Sequence, residues 1–500
     1  MLLVVLITAL CWIIYQLLLS SIASYLLWNT IVVFSITIWF FLFWLWIGSY
    51  LSKFVKNFNK TFLIVEIALS ILWAFSIFLV KWIYIYFFSQ SIFFYIFYIA
   101  IVIIIWILVW LEIPIVANIL DKKNKNLQKT VWDVFSWDYI WSLIWTLLFP
   151  FVLLPWFWIT LTAFVVWLLN LLVAGLFLYY INELKKNIIL LAMVFIVIIF
   201  WWLFVERKLE PIWLNFFYWQ PVVWYDHSKY QQIVLTKNWD DIRLYLDWHL
   251  QFLSLDERRY HDALTYFPKK FITTFSGKKL DILILWWWDW LAVRNLIEYL
   301  SWKDFNYEIK VVDLDPDIVK LAKTHPLLLK LNKNSFSNPY VKVINTDAFN
   351  FLMNNKSKFD IIIADFPDPR DVPLSKLYSY EFYLMVLKHL KEKGVFTTQS
   401  SSAFFSKEAF WCINKTMNAV SNKIGNTKVI AYHTYIPSFW DWWFNTFLKN
   451  VNFENSSQAL SWLISFTFDK DYVVSWININ YLDKPIIVQY YIEGRKRYNK

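Results

Sequence analysis

Glycine is nearly missing from this chain. There are 6 in 500 residues, where ordinary usage of roughly 7% would supply about 35. Cysteine is scarcer still, with only Cys11 and Cys412, which excludes a disulfide scaffold and a cysteine-built zinc site. Charged residues reach 17% and hydrophobic residues 59%, against roughly 25% and 45–50% in soluble domains. That balance excludes a disordered chain and an ordinary soluble enzyme. Repeats and low-complexity linkers are lacking too. At this length one compact domain is a poor expectation, and roughly two or three units a better one.

What stands in glycine's place is tryptophan, at 34 residues. Together the two make up about 8% of the chain, close to a normal glycine allotment plus a few indoles. A gene that uses UGA for glycine, translated with UGA as tryptophan, gives this composition; a genuinely tryptophan-rich protein is the alternative. Position decides between them. Asn238-Trp239 and Asp247-Trp248 separate alternating segments, where two-residue hairpin turns favour Asn-Gly and Asp-Gly. Trp137, Trp141 and Trp145 recur every fourth residue, as do Trp44 and Gly48, a spacing at which small residues let membrane helices approach. Trp286-Trp287-Trp288-Asp289-Trp290 follows the apolar run Leu280–Leu285, where a glycine cluster would make a nucleotide-binding loop. These contexts favour recoded glycine. Residues keep the names the sequence gives them.

Apolar runs long enough to cross a bilayer fall near 2–26, 30–51, 62–80, 91–119, 138–156, 158–181 and 188–205. The link at Pro155 is a turn or a kink. The first run has no basic start and is followed at once by others, so it is not a cleaved signal peptide. Lysines gather at 53–60, 122–129 and 185–186 and mark those loops as cytoplasmic. The formal net charge of +10 suits loops facing anionic lipid and calls for no nucleic acid. Glu66 and Glu112 lie within apolar spans, where acids are costly and functional by default. They either contact a polyamine or satisfy neighbouring helices.

From about Arg207 the composition turns soluble. Residues 207–268 are expected to form a β-hairpin subdomain, 269–450 a Rossmann-like domain and 451–500 a closing segment, after a helical membrane domain over 1–206. Strands are expected at Leu280–Leu285, Glu308–Asp313, Val341–Asn345, Phe359–Ala364 and Val395–Gln399, with helices between them. That order implies a doubly wound, mostly parallel sheet of methyltransferase type, with ligand at the carboxyl ends. Successive strands each deliver an acid to that edge: Asp289, Asp313, Asp347, and the pair Asp365 and Asp368. One such Asp is usually a turn former or a helix cap. Gathered together, they repel one another unless a cation sits among them.

The loop Ile282–Trp290, read as a strand and then Gly-Gly-Gly-Asp-Gly, resembles the cofactor loop of the spermidine synthases, the polyamine aminopropyltransferases. The resemblance extends in order over Ser228–Gln231, Leu246–Gln251, Asp256-Glu257, Tyr260-His261, Val312–Asp315, Thr346–Ala348, Asp365–Pro369 and Tyr435–Phe444. A lone glycine loop is weak; this ordered set is not. Leu111–Pro114 and Asp138–Ser142 resemble the multi-pass branch of the family. The resemblance implies that Gln231, His261, Asp289, Asp313, Asp347 and Ala348 hold decarboxylated S-adenosylmethionine, with Asp313 on the ribose hydroxyls and Asp347 facing the adenine. It implies that Tyr260, Asp365 and Asp368 hold the acceptor amine, with Asp365 the catalytic base. Three positions depart from the family pattern. Phe-Pro stands between Asp365 and Asp368, where soluble members often carry two serines. Asp313 stands where Glu is common, and Phe439 where soluble members place an amine-binding Tyr.

The implied reaction moves an aminopropyl group to putrescine, giving spermidine and methylthioadenosine. Its sulfonium is already a good leaving group, so no metal and no permanently bound cofactor is needed. Two rivals remain: a methyltransferase using intact S-adenosylmethionine, and a non-catalytic polyamine-binding or transport protein. The expected surroundings are a lipid bilayer, crossed several times, and a cytoplasmic catalytic domain. The lysine loops conflict with that sidedness, since one span after 182–187 would put the domain outside. The acceptor amine and any homo-oligomer are left open by the sequence.

Overall fold

A computed structural model describes residues 2–27, 30–87, 91–124, 126–153, 159–181, 208, 210–272, 279–285, 290–303, 305–451, 463–468 and 475–498. The chain forms two compact units, Met1–Gln220 and Pro221–Lys500.

The first unit is helical: α1 (Leu2–Leu27), α2 (Thr30–Leu51), α3 (Phe58–Tyr86), α4 (Ser91–Asn124), α5 (Leu127–Leu148) and α6 (Ile159–Tyr180). Among the described residues, six helices are long and apolar enough to cross a membrane; the seventh expected run, 188–205, and the link at Pro155 lie outside them. α1 is the most enclosed, with α2, α5 and α6 packed against it. Two helices begin earlier than hydropathy alone implies because an asparagine caps them. Asn57 Oδ1 accepts from the Lys60 N–H at 3.2 Å, and Asn126 Oδ1 from the Lys129 N–H at 3.0 Å, each satisfying an orphan donor of a first turn. Gly48 lets α2 and α4 close up, since a Cβ there would lie 2.6 Å from Trp110 Cβ.

The unit boundary falls after Gln220, later than the change in composition at 206. Residues 211–218 are helical, not β-structured as expected. They join the helical unit because Glu210 pairs with the buried Lys81 of α3 at 2.9 Å, Phe216 packs at a tilt against Trp82, and Phe217 stacks on Tyr84.

The second unit opens with an antiparallel meander, β1 (Val222–His227), β2 (Gln232–Asn238), β3 (Asp241–Leu246) and β4 (His249–Leu253). Asp247 and Trp248 form the two-residue turn between β3 and β4, both with positive φ, 45° and 69°. That is the Asp-Gly turn the sequence implies. The β2–β3 turn is shifted by one residue: Asn238 pairs with Asp241, so Trp239 and Asp240 are its centre. Trp239 has φ 56°, the left-handed region that glycine enters freely and an indole-bearing residue does not. Its side chain is 90% exposed, so packing does not hold it there.

Seven strands make the main sheet: β5 (Leu280–Leu285), β6 (Tyr307–Asp313), β7 (Val341–Asn345), β8 (Phe359–Ala364), β9 (Leu390–Ser402), β10 (Thr427–Ile436) and β11 (Trp440–Lys449), in the order β10-β11-β9-β8-β5-β6-β7. The five from β9 to β7 are parallel, and the β10–β11 hairpin adds an antiparallel edge. β5 and β8 are almost wholly buried and, apart from Asp281 and Asp360 at their second positions, read as apolar runs, as expected of strands covered on both faces. The architecture is the expected one: a helical bundle of membrane type, then a Rossmann-like domain carrying a small β-meander.

Candidate active site

β5 pairs with β6 on one side and β8 on the other. The strand order therefore reverses beside β5, and it is at the carboxyl edge at such a point that these sheets bind ligands. The loop after β5, with Trp286, Trp287, Trp288 and Asp289, lies outside the described residues.

Asp365 follows β8 directly and is buried. Its backbone N–H donates to the Leu285 carbonyl at 3.3 Å, which ties the 365–369 loop to the end of β5. The Tyr260 hydroxyl donates to Asp365 Oδ1. Tyr260 is placed by the short helix Glu257–Leu264 and held among rings, 5.6 Å from Phe444 and 6.1 Å from Phe439 between centroids. Phe439 thus contributes packing around Tyr260.

His261, next on that helix, is fully buried. Its Nδ1 lies 2.6 Å from the Glu257 carbonyl oxygen and 3.1 Å from Glu257 Oε2. Two acceptors against one ring nitrogen place the proton there. Arg294 clamps the same carboxylate, Nη1 donating to Oε1 at 2.9 Å and Nη2 to Oε2 at 2.8 Å. Burial pushes the Glu257 carboxyl up, but hydrogen bonds and charge from His261 and Arg294 outweigh it and hold it down at about 2.

Asp368 is half-buried. The Tyr491 hydroxyl donates to its Oδ2 at 3.1 Å, and Arg495 Nε donates to that hydroxyl at 3.2 Å. Burial raises the Asp368 carboxyl above its ordinary range, opposed by the Arg495 charge and by hydrogen bonds from Tyr491, Ser401 and Gln399. Gln399, buried in β9, donates through Nε2 to the Phe366 carbonyl and to the Tyr378 hydroxyl, the latter at 2.8 Å. Tyr378 in turn donates to the Pro367 carbonyl at 2.8 Å. The turn between the two acids is thus fixed by its backbone, which explains how Phe-Pro can occupy it.

On the other side of β5, Asp313 ends β6 and is 2% exposed. Its Oδ1 accepts from the Asp315 N–H at 2.7 Å. Asp315 Oδ2 accepts from Gln231 Nε2 at 2.8 Å and from Ser228 Oγ at 2.6 Å. One network therefore joins Asp313 to Gln231. Asp347 caps the helix Ala348–Asn354, accepting from the Asn350 N–H at 3.0 Å, and its Oδ2 accepts from Lys376 Nζ at 2.8 Å. Ala348 is buried at the start of that helix.

The sequence-derived residues thus gather in two groups: Tyr260, Asp365 and Asp368 around the loop after β8, and Gln231 with Asp313 near the end of β6. Among the described residues Asp347 is linked to neither by a hydrogen bond; its side chain meets the Asn350 N–H and Lys376. Sequence reasoning assigned no role to Asp315, Gln399, Arg294 or Tyr491. Asp315 and Gln399 carried a signal, since each is a polar residue at the carboxyl end of an expected strand. Arg294 and Tyr491 carried none, because their partners come from distant segments.

Residues 257–459 match the model of the spermine/spermidine synthase domain. The chain is 33% identical to a polyamine aminopropyltransferase of Leptospira interrogans, over 97% of either chain. It is 31% identical to polyamine aminopropyltransferase 2 of Aquifex aeolicus, over 95% of this chain and 94% of that one. A crystal structure of spermidine synthase in complex with the transition-state analogue AdoDATO aligns with a TM-score of 0.41 and 18% identity, over 55% of this chain and 88% of that one.

Proposed function

The chain belongs to the polyamine aminopropyltransferase family, and from that membership we propose that it moves the aminopropyl group of decarboxylated S-adenosylmethionine to putrescine, giving spermidine and methylthioadenosine. The observation that carries this reading is the Tyr260–Asp365 hydrogen bond beside Asp368, at the point where the strand order reverses.

Putrescine arrives as a diammonium ion. Asp368, steadied by Tyr491, takes one ammonium by charge. Asp365, oriented by Tyr260, faces the other. The attacking nitrogen must lose a proton whose ordinary pKa is about 10.4. A carboxylate at that nitrogen accepts the proton as the carbon–nitrogen bond forms, while the carbon–sulfur bond breaks and its electron pair neutralises the sulfonium. Holding nitrogen, carbon and sulfur in line supplies much of the acceleration.

Asp313 takes the ribose hydroxyls, with Gln231 and Asp315 fixing its surroundings. His261, its Nδ1 proton committed to Glu257, lines the nucleoside side, and Asp347 with Ala348 flanks the adenine. Asp289 meets the ammonium end of the co-substrate. The same acids repel the extra carboxylate of intact S-adenosylmethionine, which separates this activity from methyl transfer. The loop before Trp290 admits a nucleoside when residues 286–288 are glycine. The apolar helices hold the enzyme in a membrane, and the catalytic unit faces the cytoplasm.

The test is an assay of the full-length protein, produced with glycine at its UGA codons. It is offered decarboxylated S-adenosylmethionine with putrescine, cadaverine, spermidine or agmatine, and methylthioadenosine is quantified. Transfer to putrescine is expected; methyl transfer from intact S-adenosylmethionine in its place would overturn the reading.

A further inference from the structure

The helical unit buries three acids from three different helices. Glu66 of α3 is 0% exposed, Glu112 of α4 1% and Asp138 of α5 3%. Glu112 and Asp138 line one small cavity, and α3, which carries Glu66, packs against α4. Among the described residues, no lysine, arginine or histidine pairs with any of them. The contrast within the unit is Lys81, whose buried ammonium meets both carboxylate oxygens of Glu210, at 3.1 and 2.9 Å.

A small cavity opens between α1, α4 and α5. Glu112, Asp138 and Thr8 line it, and its other walls include Val5, Val109, Val116 and Val134. Among the described residues Glu112 Oε1 has no hydrogen-bond partner. An unmatched buried carboxylate beside further acids is unfavourable until a cation or a proton joins it. No three metal-ligating side chains among the described residues are placed to hold a metal ion. As it stands the cavity has room for little more than one ammonium group, and its lining of acids and methyl-bearing side chains suits the ammonium end of an alkyl amine. Two of the indoles in question, Trp12 and Trp110, also line it, and glycine at either position widens it.

We propose that Glu112, with Asp138 and Glu66 beside it, forms a second amine site in the helical unit, one that binds a linear aliphatic ammonium ion. Which ammonium it takes rests on the aminopropyl-transfer reading: the diamine acceptor or the polyamine product. The site itself does not rest on that reading.

The experiment measures equilibrium binding of labelled spermidine and labelled putrescine to the full-length protein in lipid nanodiscs at pH 8. Asp368→Asn first weakens the active-site class. The binding that remains is expected to fall on the order of tenfold to a hundredfold in affinity on adding Glu112→Gln, the range for a lost charged hydrogen bond. Glu112→Gln alone should remove one equivalent of amine and leave the turnover number for transfer unchanged. Should Glu112→Gln fail to fold, Asp138→Asn in the same background carries the test, with monodispersity as the control. Unchanged residual binding in a folded variant, or no residual binding in the Asp368→Asn protein, overturns the proposal and means that the acids hold protons only. Absence of aminopropyl transfer by the unaltered protein overturns the functional reading instead, and leaves the Glu112-dependent binding to stand or fall by itself.

Discussion

In the catalytic unit Glu257 meets Arg294 on both oxygens, and Lys391 Nζ bridges Asp281 and Asp360 at 2.6 and 2.8 Å. In the helical unit Glu66, Glu112 and Asp138 meet no such cation among the described residues, and the matched pair Lys81–Glu210 involves the segment just before the unit boundary. The difference follows from what each fold can supply. A sheet wrapped by helices brings many loop ends together, and an arginine from one can reach an acid on another. An apolar bundle has few cations to give, and a buried pair made there costs much of what it gains. The catalytic unit matches its acids internally or reserves them for substrate; the helical unit leaves them for something that arrives.

The comparison breaks first at Asp365. If it is the base, Asp365→Asn should cut the turnover number about a thousandfold, within the usual range for general base catalysis, with the fold intact by circular dichroism. Methylthioadenosine release measures it.

Glu257→Gln should destabilise by about 3 kcal/mol, as breaking a buried pair does, read by thermal or denaturant unfolding. The same group gives a pH signature. Its folded pKa, about 2, lies below the ordinary 4.5, so its contribution is complete above pH 4.5 and lost as pH falls toward 2. Acid unfolding between those limits should be shallower in the variant.

Asp368→Asn sharpens the view that this acid waits for an ammonium. The acceptor KM should rise roughly thirtyfold, the cost of one charged hydrogen bond, with little change in KM for the nucleoside. Because burial raises the Asp368 carboxyl, the acidic limb of kcat/KM for putrescine should lie above the ordinary Asp range, and the limb should vanish in the variant. Tyr491→Phe should raise the same KM about fivefold, one neutral hydrogen bond's worth; an unchanged value would mean that the C-terminal helix only packs.

The smallest effect concerns Trp239. Replacing it by glycine should stabilise the meander by about 1 kcal/mol, the cost of a left-handed residue with a side chain. Peptide masses of the native protein should show glycine at 239 and 248; indoles at both would sink the recoding reading.

Much of this was legible before any coordinates. The five expected strands of the parallel sheet all form, with an acid following four of them in the chain, and the hairpin turns were placed to within one residue. The shift at Trp239 arose because turn chemistry fixes the kind of turn better than its register. Residues 211–218 were misread because a short aromatic run fits a strand as well as a helix, and only Lys81 and the rings of α3 decide between them. Arg294 and Tyr491 were invisible for a related reason: a side chain's partner is chosen by topology, and sequence spacing does not record it.

The enclosure of α1 bears on how the bundle is assembled. This helix precedes in the chain the three that pack most heavily against it, α2, α5 and α6, so its buried face is covered only once α6 has been made. Chains that stop before α6 should therefore leave that face uncovered and be degraded, while chains that include α6 accumulate.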